Sequence, residues 1–369
     1  LSKDTATESI VRDYLLEQGL KLKTSNKASI DKRVAVSTAS DLLVIDQLHQ
    51  SLSKVFHKGW ACPPKYKGKR LHAPHKRIVN ILLSDLHFGS KLDPDECPIE
   101  YNVIQESRRL GRVAQQVADY KTEYRRESKL IIHLLGDIIQ NHLFDPRDGE
   151  PLSLQFAAAV HYLVQLILFL SSQYPYVEIY CTSGNHGRDK ARHQDRAVCQ
   201  KFDSIETMIY VAVKTAILNS GISNCKFFIP KTPYYICQMF DSKGLLTHGD
   251  TVLRPGYPGR NINVNGLMQQ VLKWNSARGI GGPFQLYAVG HVHFGSITNL
   301  PGGIHMITNG CLVPPDSYAL SIGAPDVTCG QYLFESVAGH VVGDQRFIVV
   351  DGAEKDSSYN SIISPFEGF

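Results

Sequence analysis

The segment Ile78-Val79-Asn80-Ile81-Leu82-Leu83-Ser84-Asp85-Leu86-His87-Phe88-Gly89 opens as a short apolar run with β-branched residues and closes on a carboxylate, an imidazole and a glycine. Its first half, Ile78 to Leu83, predicts a strand buried on both faces, as in a parallel-type sheet. Ligands of open α/β sheets gather outside the carboxyl ends of such strands, and that is where Asp85 and His87 stand. The pattern recurs along the chain. Leu130 to Leu135 runs into Gly136-Asp137, and Val177 to Cys181 leads to Gly184-Asn185-His186. Leu245 to Asp250 carries His248, and Leu286 to His293 ends in His291-Val292-His293. Five strand ends in succession offer Asp, Asn and His. Core packing alone does not call for that.

Between these strands lie stretches with helical periodicity: Tyr101 to Tyr124, Ser153 to Ser172, Ala197 to Leu218 and Asn263 to Ser276. The alternation predicts a layered α/β fold. After Asn224 the strands crowd together: Lys226 to Ile229, Tyr234 to Phe240, Gly244 to Thr247, Ser296 to Leu300, Gly303 to Thr308, Gln331 to Val337 and Gln345 to Val350, with a hairpin about Asp241-Ser-Lys-Gly244. The expected architecture is two β-sheets packed face to face and flanked by helices. It occupies residues 78–350, with residues 351–369 as a flexible tail.

Ahead of this domain, residues 1–56 read as helical and basic. Ile10, Tyr14 and Leu15 share one stripe, and Leu42 through Phe56 recur at helical spacing. A helix-turn-helix reader and a helical appendage both fit that reading. Residues 57–77 form a Pro- and Lys-rich linker. Residues 1–77 hold fifteen Lys and Arg against seven acids, a net +8, whereas the remainder is −4 within a total of +4. A basic arm suits a polyanionic partner, and a mildly acidic domain suits a cation site.

Hydrophobic residues make up 43% and charged residues 20% of the 369, ordinary for a globular chain. No uninterrupted apolar run reaches the roughly 18 residues of a membrane span. Val160 to Leu170 comes nearest and reads as a buried helix, so no membrane association is expected. The eight cysteines are widely spaced without a CxxC pair. They predict reduced thiols, neither a disulfide framework nor a cysteine metal site, and a cytoplasmic setting.

Carboxylate, imidazole and amide oxygen together suit divalent transition metals. Two such ions about 3.5–4 Å apart clamp a phosphate and acidify water. The donors on offer are Asp85, His87, Asp137, Asn185, His248, His291 and His293. His133, His142, His161, His193, His305 and His340 are left to structural roles.

In order and spacing the sequence resembles the calcineurin-like metallophosphoesterase superfamily, which includes the Mre11/SbcD-type nucleases. The ordered blocks D-x-H, G-D-x-x-[DN], G-N-H-[DE], a lone H and G-H-x-H appear as Asp85-Leu-His87, Gly136-Asp137-Ile-Ile-Gln140, Gly184-Asn185-His186-Gly187, His248 and Gly290-His291-Val-His293. The resemblance implies a metallophosphoesterase-type αββα sandwich. It further implies that Asp85, His87 and His293 bind a first metal, that Asn185, His248 and His291 bind a second, and that Asp137 bridges them. His186 becomes the catalytic proton donor beside the leaving oxygen. Two positions depart from the pattern. Gln140 stands where Asp or Asn is usual, with Asn141 or His142 as candidate substitutes, and Gly187 stands where an acid is usual, with Asp189 as candidate substitute. The departures bear on the groups that orient the ligands.

For substrate, Arg188, Lys190, Arg192, His193 and Arg196 follow the Gly184-Asn185-His186 turn, and Arg254 and Arg260 flank a Pro- and Gly-rich loop after His248. Arg188, Arg254 and Arg260 are the candidate phosphate contacts. The expectation is a two-metal phosphohydrolase, most simply a phosphodiesterase or nuclease acting on DNA or RNA through hydroxide attack at phosphorus. The cofactor expected is Mn²⁺, with Fe, Zn²⁺ or Mg²⁺ as other fits, and a homodimer is compatible with the resemblance. The alternatives are a phosphomonoesterase or small-nucleotide phosphodiesterase, and a non-catalytic scaffold subunit.

Overall fold

The computed structural model describes residues 75–92, 95, 97, 99–142, 149–188, 201–254, 264–277, 280–316, 319–320 and 327–366. The helical reading of residues 1–56, the linker up to residue 74, and residues Asp189, Lys190, Arg192, His193, Arg196 and Arg260 lie outside them.

The first half of the domain is a run of βα units: β1 (Arg77–Leu83), α1 (Val103–Asp119), β2 (Ser128–Leu134), α2 (Leu152–Gln173), β3 (Val177–Cys181), α3 (Ile205–Asn219) and β4 (Cys225–Phe228). The four strands pair in parallel, as strands joined through helices must. The second half supplies β5 (Tyr234–Met239), β6 (Ser242–Thr247), α4 (Val264–Ser276), β7 (Leu286–Val289), β8 (Ser296–Leu300), β9 (Ile304–Thr308), β10 (Gly330–Ser336) and β11 (Gln345–Val349). β10 returns to pair antiparallel with β1, which completes a six-stranded sheet in the order β11-β10-β1-β2-β3-β4. A five-stranded mixed sheet runs β5-β6-β7-β9-β8.

Alternation along each strand joins the two sheets. Ile78 and Leu82 of β1, Ile131 of β2, Leu246 of β6, Leu286 and Ala288 of β7, and Ile307 of β9 share one buried cluster. The intervening residues Leu245, Tyr287, Val289 and Met306 turn to the other face of the second sheet, where Leu267 and Val271 of α4 cover them. On the first sheet, the alternate residues Val79, Ile81 and Leu83 are buried as well. The result is two mixed sheets packed face to face with helices outside. One polar chain crosses the inter-sheet core: His133 bonds Tyr235 Oη at 2.8 Å and Asn80 Oδ1 at 3.1 Å. Burial, and after it Lys129, lowers the His133 pKa to about 3, so it is a neutral core histidine.

Four local expectations change. The helix expected from Tyr101 starts at Val103, because Asn102 caps it: its side chain accepts from Ile104 N while Gln105 bonds back to the Asn102 amide. Its far end breaks into a 3₁₀ turn at Thr122–Glu127. The helix expected from Ala197 begins at Ile205, after the N-cap Ser204. The hairpin turns at Phe240-Asp241, since Met239 pairs with Ser242, and Gly244 falls inside β6. α2 is apolar enough over 18 residues to cross a membrane by length and composition, yet two thirds of that stretch is buried in the fold. A helix apolar all round belongs in an interior.

The flexible tail is the fourth change. Residues 351–366 form 3₁₀ turns at Ala353–Lys355 and Ser357–Ser361 that pack on α1. The fully buried Arg109 anchors them: Nε bonds Glu354 at 3.3 Å, Nη2 bonds Asp351 at 3.3 Å and Nη1 bonds the Leu312 carbonyl at 2.6 Å. Ile363 and Phe366 are buried, and the Phe366 amide donates to Tyr162 Oη. The segment is too polar to show a periodicity in sequence, and its contacts to Arg109 run over more than 200 residues.

Candidate metal centre

The loops after β1, β2 and β3 of the first sheet, and after β6 and β7 of the second, converge. The amides of Leu86 and His87 donate to the Asp137 carbonyl at 2.8 and 3.0 Å, which knits the first two loops. The His291 amide donates to both oxygens of Asp85 at 3.1 and 3.0 Å, and His248 Nδ1 donates to the Leu135 carbonyl at 2.9 Å. Those two bonds join the sheets. A Cβ on Gly136 would run into the Gly184 amide and one on Gly184 into Asp137, so neither position has room for one.

Five of the seven candidate ligands have left-handed backbone: Asp85 (φ 53°), His87 (48°), Asp137 (51°), His291 (72°) and His293 (57°). Asp, Asn and His tolerate that region better than other side chains, but each such residue costs about 1–3 kcal/mol. The turns swing these side chains off the strand direction and toward one point.

All seven candidates are brought together. Ligand atoms of Asp85, His87 and His293 lie within 4.8 Å of one another, as do those of Asp137, His248 and His291. Asn185 joins the second group, its Oδ1 3.1 Å from His248 Nε2. Asp137 faces both: His87 is within the same reach, and His248 Nε2 is 3.0 Å from Oδ2. His87 Nε2 and His293 Nε2 are only 3.2 Å apart, two ring nitrogens aimed at one spot. His186 joins His87 and Asp137 in a third such group, and buried carboxylates, amide oxygen and imidazoles clustered in this way are a fitting donor set for divalent cations.

The electrostatics agree. Burial works against ionising Asp137, but His248 and His186 outweigh it and hold the carboxyl well below the usual range. Asp85 behaves likewise beside His293. For His248, burial is outweighed by Asp137 and the pKa rises to about 9. Burial, then His248, pushes His291 down to about 4, and burial, then His186, keeps His87 well below its ordinary value. Neutral imidazole is the form that binds metal. His87 and His291 are therefore ready for an ion, whereas His248 and His293, the latter raised, against its burial, by Asp85, give up a proton to take one.

His186 stands at the rim. Its amide donates to Asp137 Oδ1 at 2.8 Å, its ring lies edge-on to His87 with centroids 4.5 Å apart, and its Nδ1 is 2.6 Å from the Gln140 carbonyl. A carbonyl only accepts, so Nδ1 carries hydrogen and Nε2 is the nitrogen that exchanges a proton. The contact uses the backbone of residue 140, so the unusual Gln140 side chain leaves it intact. Asn141 does the orienting: its Nδ2 donates to the carbonyls of His186 and, at 2.8 Å, Arg188. His142 bonds the Glu150 carbonyl instead.

Arg188 folds its Nε onto the Asn185 carbonyl at 2.7 Å, which keeps it at the mouth of the Gly184-Asn185-His186 turn. Arg254 is exposed, its backbone held by Gln270. Several supporting residues gave no signal in sequence. Glu206 in the first turn of α3 is fully buried between the two loops that carry Asp137 and Asn185. Lys201 is buried with both Nζ–Asp250 distances at 2.7 Å, and its Nζ also reaches the Ser183 carbonyl. Beneath Asp85, Gln331 and Asn309 bond Ser84, and the Leu312 amide donates to the Asp85 carbonyl.

No family model matches the chain, and no curated protein matches it in sequence. Solved structures do match. An archaeal phosphodiesterase is 10% identical, covering 73% of this chain and 99% of its own, with a TM-score of 0.34. A hypothetical protein from Pyrococcus horikoshii OT3 is 9% identical over 78% of this chain and 97% of its own, at 0.38. A metallophosphoesterase from Sphaerobacter thermophilus is 12% identical over 73% and 89%, at 0.30. These likenesses are distant, and the chemistry of the site rests on its own residues.

Proposed function

We propose that the chain is a metal-dependent phosphoesterase of the calcineurin-like kind, with two divalent ions and a phosphodiester of DNA or RNA as substrate. One observation supports the reading: Asp137 lies within ligand reach of His248 and His291 on one side and of His87 on the other, where His87 in turn groups with Asp85 and His293. When bound, two such ions neutralise phosphoryl oxygens and acidify water for attack at phosphorus. The protein's part is positional. Asp85, His87 and His293 would hold one ion, Asn185, His248 and His291 the other, and the Asp137 carboxylate both. His186, fixed through Nδ1 on the Gln140 carbonyl, presents Nε2 to hand a proton to the leaving oxygen. Arg188 sits where it adds positive charge for the phosphate. The basic residues 1–77 support nucleic acid over a small ester.

Substrate class is tested with Mn²⁺-loaded full chain on end-labelled single- and double-stranded oligonucleotides, bis(p-nitrophenyl) phosphate and p-nitrophenyl phosphate. Cleavage of the oligonucleotides and the diester is expected. Turnover of the monoester alone replaces the diesterase reading with a phosphomonoesterase, and no turnover of any of them with a scaffold.

A further inference from the structure

Glu206 is a fully buried carboxyl with an uncommon pair of partners. Its Oε1 accepts from the Ile138 amide at 2.7 Å and its Oε2 from the Gly184 amide at 2.8 Å. Ile138 follows Asp137 and Gly184 precedes Asn185, so one carboxyl staples the loop of the shared ligand to the loop of a second-site ligand. The Glu206 side chain packs over Gly187. A Cβ on residue 187 would stand 2.7 Å from Glu206 Cγ and 2.9 Å from its Cδ. Any side chain on residue 187, an acid included, would therefore enter the volume Glu206 already fills. The Ile205 amide donates to the Gly187 carbonyl at 2.9 Å, which fixes the start of α3 against this turn.

We propose that Glu206 is the positioning residue of the second metal site, a carboxyl brought in by α3 where a side chain on residue 187 would otherwise bring it, with Gly187 as its steric complement. The inference rests on the two-ion part of the proposed function and not on which ester is cleaved. Positions 187 and 206 are reciprocal: one acidic side chain between them fits, whereas two collide and none leaves two buried amides without an acceptor.

The test is calorimetric Mn²⁺ titration of the metal-free full chain, with a metal-free melt of each variant. Glu206→Gln keeps the volume but sets an NH₂ against one of the amide donors. Its second-site affinity is expected to fall about 10- to 100-fold. Gly187→Asp alone forces two acids together and is expected to lose affinity too, as is Glu206→Ala. The double variant Glu206→Ala with Gly187→Asp is expected to bind at least tenfold more tightly than either single variant. A role confined to stability would lower the melting temperature in Glu206→Ala without that rescue. Wild-type affinity in Glu206→Gln, or a double variant no tighter than Glu206→Ala, overturns the proposal. Should the wild type take up two Mn²⁺ and cleave no ester, the phosphoesterase reading falls while the assignment of Glu206 stands.

Discussion

At the residue scale, Asp137 and His248 show how the site resolves the problem of charge in a dry place. Each would be costly alone, and at 3.0 Å each holds the other in its charged form. For the metal-free protein this sets a pH dependence. The His248 pKa is raised from 6.5 to about 9 on folding. Its stabilisation is therefore fully present below pH 6.5 and is lost as pH rises through about 9. The effect is on the order of 3 kcal/mol. Denaturant melts at pH 6 and pH 9.5 should differ in that sense, and His248→Asn should flatten the difference. Metal needs His248 neutral, so Mn²⁺ affinity should climb over the same interval.

His186 is predicted to matter to turnover and not to metal binding. In His186→Asn the amide can still donate to the Gln140 carbonyl, but no proton donor replaces Nε2. Mn²⁺ affinity should stay within a few-fold of wild type, while kcat drops about 10²- to 10⁴-fold. Equal losses in metal binding and kcat would make His186 a ligand instead.

At the element scale, the clustering of the seven candidate ligands was legible because strand ends are. A buried run followed by Asp, Asn or His can be read from neighbouring residues, as with Ile78 to His87. The supporting groups were not legible because they act at long range and mostly on backbone atoms. Glu206 reaches amides 68 and 22 residues away, and Lys201 reaches an acid 49 residues away. Neither leaves a spacing to detect. Helix starts shifted for a related reason: Asn102 and Ser204 withdraw from the helix to cap it, although the residues before them share its apolar period.

The Lys201–Asp250 pair ties the segment before α3 to the loop after β6. Burial opposes ionising Asp250, but Lys201, then His248, keep its carboxyl below the ordinary range. Lys201→Met would leave that carboxylate buried without its cation beside the candidate ligands His248 and His291. The expected loss is about 3–5 kcal/mol in metal-free stability by denaturant melting, most of it recovered in Lys201→Met with Asp250→Asn. A neutral single variant would show that the pair is a bystander.

At the scale of the whole molecule, the two sheets matter because each holds half of the site. Asp85, His87, Asp137 and Asn185 hang from the first, and His248, His291 and His293 from the second. The inter-sheet core that runs from Leu82 to Ile307 holds them in register. The layering followed from strand alternation, whereas the packed C-terminal segment depended on Arg109, a residue that a polar helix face would equally well contain. The basic N-terminal residues belong to this scale too. If they meet phosphates, replacing Lys65, Lys67, Lys69 and Arg70 by Gln should shrink the slope of log affinity against log salt on duplex DNA, by up to about 0.9 for each phosphate no longer neutralised. An unchanged slope would remove them from the interface.

The most direct test is to count metal ions against the shared carboxylate. Metal-free wild type and Asp137→Asn are titrated with Mn²⁺, and each is assayed for cleavage of bis(p-nitrophenyl) phosphate. The account predicts two ions and Mn²⁺-dependent cleavage in the wild type, with the ion pair lost and cleavage at background in Asp137→Asn. A wild type that binds one ion or none, or an Asp137→Asn that cleaves at the wild-type rate, contradicts it.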